Sequence, residues 1–184
     1  MLAEAQTALA ELGAVTAKID PAAVARACET IAGAGRIVLY GCGREGLQMR
    51  GFAMRLHHLG RDVGVQGEMT VPPIGAGDVF IASAGPGELA TVTALMRIAR
   101  EAGADVLLLT AEPGTPAAKL ATEVLTIPAQ TMARDQGAGA TSVLPMGSVY
   151  EGALFILFEI MVLELRDRLG ETAETMRARH TNLE

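Results

Sequence analysis

Cysteine is scarce in this chain, clustered positive charge is missing, and no apolar run continues unbroken for the width of a membrane. Two cysteines, Cys28 and Cys42, in 184 residues are too few for a disulfide framework, and they fit a reducing cytoplasm. Cys28 reads as a buried helix residue and Cys42 as a small loop residue. The 15 Lys and Arg side chains are interspersed among 21 acidic ones, giving a net charge of −6. A nucleic-acid surface is thereby excluded, since a phosphate backbone demands clustered cations. Residues 1–17 carry Glu4 and Glu11 with no basic n-region, unlike a secretory signal. The most apolar stretch, residues 152–165, is short for a bilayer and is punctuated by Glu151, Glu159 and Glu164. It reads as a helix buried on most sides, part of it against another subunit. The expectation is a cytoplasmic chain with neither membrane nor nucleic acid as partner.

Half of the residues are hydrophobic, enough for one domain with a sizeable core. Two helices open the chain. The first is an alanine- and leucine-rich segment, residues 3–18. The second starts at Asp20-Pro21, an N-cap followed by proline at the first helical position, and runs to about Ala32. Short apolar runs then predict strands at residues 37–40, 63–66, 79–83, 106–110 and 124–127. Helical patterns at 47–59, 88–102 and, briefly, 116–121 lie between them. Strands with little polar alternation belong to a parallel sheet covered by helices on both faces. The fold class is therefore α/β, a doubly wound five-stranded parallel sheet, whose ligands bind beyond the carboxyl ends of the strands. The stretch 129–147 has no periodicity and reads as a functional lid or a partly disordered loop. A long apolar helix starts near Val149, and the tail from Glu171 is polar and helical at first.

The segment Leu39-Tyr40-Gly41-Cys42-Gly43-Arg44-Glu45-Gly46 carries the most information. An apolar strand empties into closely spaced glycines and a helix follows at once. Glycine permits a sharp turn and close approach to a ligand, while the helix directs unpaired N–H groups and its positive dipole end there. Such a turn holds an anion, yet Glu45 stands where a phosphate is expected.

Together with Phe52-Ala53-Met54-Arg55-Leu56, His58-Leu59-Gly60, Gly67-Glu68, residues 74–78 (Ile-Gly-Ala-Gly-Asp), Pro145-Met146-Gly147 leading to Glu151, and Arg179-His180-Thr181-Asn182-Leu183-Glu184, these residues resemble the sugar isomerase (SIS) family. They resemble most its 6-phospho-3-hexuloisomerases. The resemblance spans nearly the whole chain and implies a single SIS domain over 1–184, with a helical arm at about 1–34 and a C-terminal helix and tail at about 148–184. It implies a homotetramer with active sites between subunits, and isomerisation of a sugar phosphate through an enediolate without metal or other cofactor. By the same resemblance Glu151 is the base and His180 the acid or ring-opening group. Gly43, Arg44, Glu45, Ser83, Gly85, Gly87, Glu88 and Glu68 then line the substrate.

The chain departs from that family at the phosphate. Serine is replaced by Glu45, and the loop after the third strand reads Ala84-Gly85-Pro86-Gly87-Glu88-Leu89, where the family has Ser-Gly-Ser-Gly-Glu-Thr. Each hydrogen bond to a charged group contributes roughly 1.5–3 kcal/mol, so the three hydroxyls lost from the loop alone weaken phosphate binding by orders of magnitude. Proline at 86 also removes a backbone donor. Glu45 then either fills the anion site itself, held by the helix N-terminus and Arg44 or Arg50, or faces the ligand. The substrate becomes either a sugar phosphate or an unphosphorylated sugar or sugar acid, and a non-catalytic sugar-binding module is a third reading. Bland readings stand beside these. Ser148-x-x-Glu151 is a capping box, His180 on a polar tail is an ordinary solvated residue, and Glu88 is a favourable acidic residue at a helix start. Arg55 reads as the partner of a carboxylate inside the fold.

Overall fold

The computed structural model describes residues 1–183, so Glu184, the last residue of the C-terminal match, lies outside the described residues. Helix α1 (Leu2–Thr16) is followed by α2 (Pro21–Gly33), which begins where the Asp20 carboxylate accepts the Ala22 N–H at 3.0 Å. Five strands follow: β1 (Arg36–Gly41), β2 (Asp62–Val65), β3 (Val79–Ser83), β4 (Asp105–Thr110) and β5 (Glu123–Thr126). They pair in parallel in the order β2-β1-β3-β4-β5. Strand order reverses between β1 and β3, and the register places Gly41 beside Ser83 at their carboxyl ends. In open α/β sheets this switch point is where a ligand binds.

Side chains alternate between the two faces of the sheet. Ile37, Leu39, Ile81, Leu107 and Leu109 pack with α2, with α3 (Gly43–His58) and with α5 (Ser148–Leu169). Val38, Phe80, Val106 and Leu108 pack under α4 (Ala90–Glu101). Phe52 of α3 stacks on Phe158 of α5 at 4.3 Å, and Arg55 makes two hydrogen bonds to Glu159 at 3.0 and 3.1 Å, so Arg55 has the carboxylate partner expected of it. Cys28 is fully buried in this layer. The connection from β2 to β3 contains no helix. Asp78 ties it to the start of β1 by accepting the Arg36 and Gly75 N–H groups, each at 2.9 Å.

Two helix starts differ from the sequence expectation and both matter to the site. Helix α3 begins at Gly43 rather than near Leu47, because the strand end and helix start touch. A Cβ on Gly46 would lie 2.5 Å from the Gly41 carbonyl oxygen, so glycine lets the helix fold directly back on β1. Glu45 thus belongs to the first helical turn. Helix α4 begins at Ala90, after Leu89, which leaves Glu88 exposed in the preceding turn.

The capping box read at Ser148 and Glu151 does not form. Gly147 caps α5 in a left-handed conformation (φ 75°), and Ser148 is already helical, its hydroxyl donating to the Pro145 carbonyl at 2.7 Å. A capping box does form at Thr172 and Thr175, opening the short helix α6 (Ala173–Ala178). The aperiodic stretch 129–147 contains two short 3-10 turns. Gln130 accepts the Thr141 and Ser142 N–H groups, and Glu11 of α1 accepts the Val143 N–H and the Ser142 hydroxyl. Among the described residues no helix is long and apolar enough to cross a membrane.

A candidate active site at the sheet's switch point

A cavity of about 330 Å³ opens over the carboxyl ends of β1 and β3. The turn after β1 contributes Cys42, Gly43, Arg44 and Glu45; the turn after β3 contributes Pro86 and Leu89. The 129–147 stretch and the start of α5 complete it with Thr131, Met132, Met146, Gly147, Tyr150 and Glu151.

Glu45 is 8 % exposed, and its carboxylate points into the turn after β3. One oxygen accepts the Ser83 hydroxyl at 2.5 Å, and the Gly85 N–H lies 3.0 and 3.2 Å from the two oxygens. Tyr150, fully enclosed, closes this cradle: its hydroxyl is 3.4 Å from Ser83 Oγ, and a Cβ on Gly85 would lie 2.9 Å from its ring. Burial raises the Glu45 pKa, opposed by the bonds from Ser83 and Gly85 and by the nearby Arg44 charge. The Tyr150 phenol is pushed well above its usual range, first by burial and then by the Glu45 charge, and it stays neutral. The expected supports from Arg50 and from the α3 N-terminus give way to Ser83 and Gly85. Arg50 is exposed, and the α3 turn directs the carboxylate across to the β3 loop.

Glu151 sits one turn into α5, its side chain 15 % exposed. One carboxylate oxygen lies 3.3 Å from the Arg44 guanidinium, and the other is buried with no hydrogen-bond partner. Burial raises its pKa, Arg44 and the residue's own backbone N–H lower it, and the Glu45 charge raises it. Arg44 is held by the Ser148 hydroxyl at 2.6 Å and by the Met146 carbonyl, which fixes the guanidinium between Glu151 and the loop. The arrangement therefore presents an oriented carboxylate with one oxygen unspent, a fixed cation beside it and a second carboxylate in the wall.

Of the residues singled out in the sequence, Gly43, Arg44, Glu45 and Glu151 line this cavity, with Ser83 and Gly85 just behind it holding Glu45. Gly87 supports the turn at φ 94°, where a Cβ would lie 2.5 Å from Thr115 Cγ2 and 2.6 Å from Glu112 Cβ. Glu68 and Glu88 are exposed and do not line it. His180 lies elsewhere in its own chain. Its ring stacks on His58 at 5.3 Å in a second cavity lined by Met54, Val162, Arg166 and Met176. Arg179 docks this tail by bonding Glu171 and the His58 carbonyl, each at 2.8 Å. Val162 is eleven residues beyond Glu151 on α5, roughly 16 Å along the axis at 1.5 Å per residue.

Sequence reasoning missed Tyr150 and Thr131. Tyr150 merges with the apolar pattern of α5 in the sequence; its position next to Glu151 is the available signal. Thr131 is 3 % exposed, and its Oγ1 has no hydrogen-bond partner. Among the described residues no group of three or more His, Cys, Asp or Glu side chains could hold a metal ion.

Residues 30–156 match the model of the SIS domain. The 3-hexulose-6-phosphate isomerase of Mycobacterium gastri is 37 % identical over 174 residues, covering 95 % of this chain and 86 % of that protein. The enzyme of the same name from Bacillus subtilis is 33 % identical over 149 residues, covering 81 % of this chain and 80 % of its own length. Among solved structures, a hypothetical protein of Methanococcus jannaschii, whose structure infers a 3-hexulose-6-phosphate isomerase function, superposes with a TM-score of 0.85. It is 23 % identical and covers 98 % of this chain and 99 % of its own, which is a likeness of fold.

Proposed function

The chain belongs to the SIS domain family, and on that premise we propose that it is a sugar isomerase of the 6-phospho-3-hexuloisomerase type. It moves a carbonyl to the adjacent carbon of a small sugar through an enediolate. One observation carries this reading: Glu151 lines the cavity at the switch point, flanked by a fixed Arg44, and keeps one buried carboxylate oxygen without a hydrogen-bond partner. A proton on the carbon beside a carbonyl is removed by a carboxylate within hydrogen-bond reach, and the same carboxylic acid returns it to the neighbouring carbon. Arg44 stabilises negative charge as it develops on the enediolate oxygens. Burial, by raising the Glu151 pKa, makes the carboxylate a stronger base near neutral pH.

The proton exchanged between the two oxygens needs an acid as well. We assign it to the partner subunit's His180, since in its own chain His180 stacks on His58, away from Glu151. This assignment requires a homo-oligomer, which we read as a tetramer. Its support is the apolar surface left exposed on α5 and α3: Phe155, Ile160, Leu163 and Met54 are each half or more exposed. The setting is cytoplasmic and the partner a small sugar or sugar phosphate. Incubating the protein in deuterated water with 2- and 3-ketohexoses and their 6-phosphates, followed by NMR, tests the reading. An isomerase incorporates deuterium beside the carbonyl, whereas a sugar-binding module incorporates none.

A further inference from the structure

The polar groups of the switch-point cavity are apportioned in a way that bears on its substrate. Two donors at the end of β3 suit an anion, the Ser83 hydroxyl and the Gly85 N–H, and both are already given to the Glu45 carboxylate. Pro86, next in the loop, has no N–H to offer, and the side chain of Leu89, which precedes α4, carries no polar group. Among the described lining residues the charged side chains are Arg44, Glu45 and Glu151, a net charge of −1 if all are ionised. Arg44 is itself engaged by Glu151, Ser148 and the Met146 carbonyl. A phosphate dianion entering here meets two carboxylates and a cation already engaged, so like-charge repulsion disfavours it.

What remains unspent suits hydroxyl groups. The second oxygen of Glu151 and the Oγ1 of Thr131 are both buried, without hydrogen-bond partners, and their residues line this cavity. A polyhydroxy compound supplies donors to the carboxylate and both donors and acceptors to the threonine. A buried acceptor left unmet costs free energy, so a site of this composition favours a ligand rich in O–H groups.

Resting on the isomerase reading above, we propose that the substrate is an uncharged sugar, a ketose or aldose without a phosphate, and that Glu45 is the specificity-determining residue that excludes the phosphorylated form. The Glu45 carboxylate is the site's own anion, tethered by one helical turn to the strand that positions it, so no external anion is required to satisfy Ser83 and Gly85.

The experiment compares free 2- and 3-ketohexoses with their 6-phosphates in the deuterium-exchange assay, with inorganic phosphate as competitor. The expected result for the unmodified protein is a preference of about 100-fold or more in kcat/KM for the free sugar, with no competition from millimolar phosphate. In Glu45→Ser, which opens the cradle and removes a negative charge, phosphate becomes a competitor and the ratio moves toward the 6-phosphate by about tenfold or more. Exchange in the 6-phosphate at a rate equal to or above that of the free sugar overturns the inference and leaves the isomerase reading standing. Exchange in neither class overturns the isomerase reading and the inference with it. Should Glu45→Ser fail to fold, phosphate competition against the unmodified protein decides the matter alone: inhibition overturns the proposal.

Discussion

Replacing Ser83 by alanine removes one hydroxyl from a fully buried site. Ser83 is fully buried, its Oγ lies 2.5 Å from Glu45, and the other donor to that carboxylate is the single Gly85 N–H shared between both oxygens. A hydrogen bond to a charged acceptor contributes about 1.5–3 kcal/mol and one to a neutral acceptor about 0.5–1.5 kcal/mol. Ser83→Ala is therefore expected to cost the larger amount while Glu45 is ionised, roughly 3–12 °C in Tm for a chain of this size. In a Glu45→Gln background only the smaller amount is lost, a coupling of about 1 kcal/mol. The pH dependence follows from the direction of the Glu45 shift. Its folded pKa lies above the unfolded value because of burial, so the folded state holds the proton more tightly. Stability on this account falls as pH rises from the ordinary carboxylate range through the raised value. The Ser83 bond opposes that rise, so its removal steepens the fall, and the penalty is larger at about pH 8 than at about pH 5. Urea denaturation at fixed protomer concentration measures all four variants. An identical Ser83→Ala loss in both backgrounds and at both pH values refutes the reasoning.

Further expectations concern the neighbours of that carboxylate. Arg44→Met removes the cation 3.3 Å from Glu151, so the Glu151 pKa rises further and the acid limb of the kcat/KM profile moves to higher pH; an unmoved limb contradicts the pairing. Gly46→Ala drives a Cβ to 2.5 Å from the Gly41 carbonyl and is expected to cost about 1–3 kcal/mol. Gly114→Ala, with nothing within 4 Å, serves as its near-neutral control in the same thermal melts. Mixing dissociated Glu151→Gln and His180→Ala chains and reassembling them is expected to restore part of the activity that each lacks alone. No recovery in verified mixed oligomers places both groups in one chain.

The fold was largely legible in the sequence because short, uniformly apolar runs between helical patterns have few other uses. Strands β1, β3 and β4 were found within one residue of their observed ends. At the edges, β2 starts one residue earlier at Asp62 and β5 at Glu123, where polar residues join the ladder: Asp62 pairs with Arg36 across β1 at 3.0 Å. The Gly-rich turn announced a site, and Glu45 was recognised as its anomaly. Its direction was not legible, because the groups that hold it are 38 and 40 residues away and come together only through the β1–β3 register. Tyr150 is concealed differently: beside Val149 and ahead of a long apolar run it reads as one more core residue of α5. The motif points to Glu151, which lines the cavity, and an Arg44–Ser148 contact stands where the capping box that the motif also suggests would be. Only resemblance points to Glu68 and Glu88 as substrate neighbours, and their proximity in sequence to a strand end does not bring them into the cavity.

The most direct measurement is deuterium incorporation from solvent into a ketohexose by Glu151→Gln, with the unmodified protein as reference and circular dichroism showing that both fold alike. Glutamine keeps the size of the side chain and removes the base. The exchange rate is expected to fall by about 10²–10⁴-fold, the span of a positioned general base. Exchange within a few-fold of the reference would show that another group takes the proton and would contradict the assignment of Glu151 as the base.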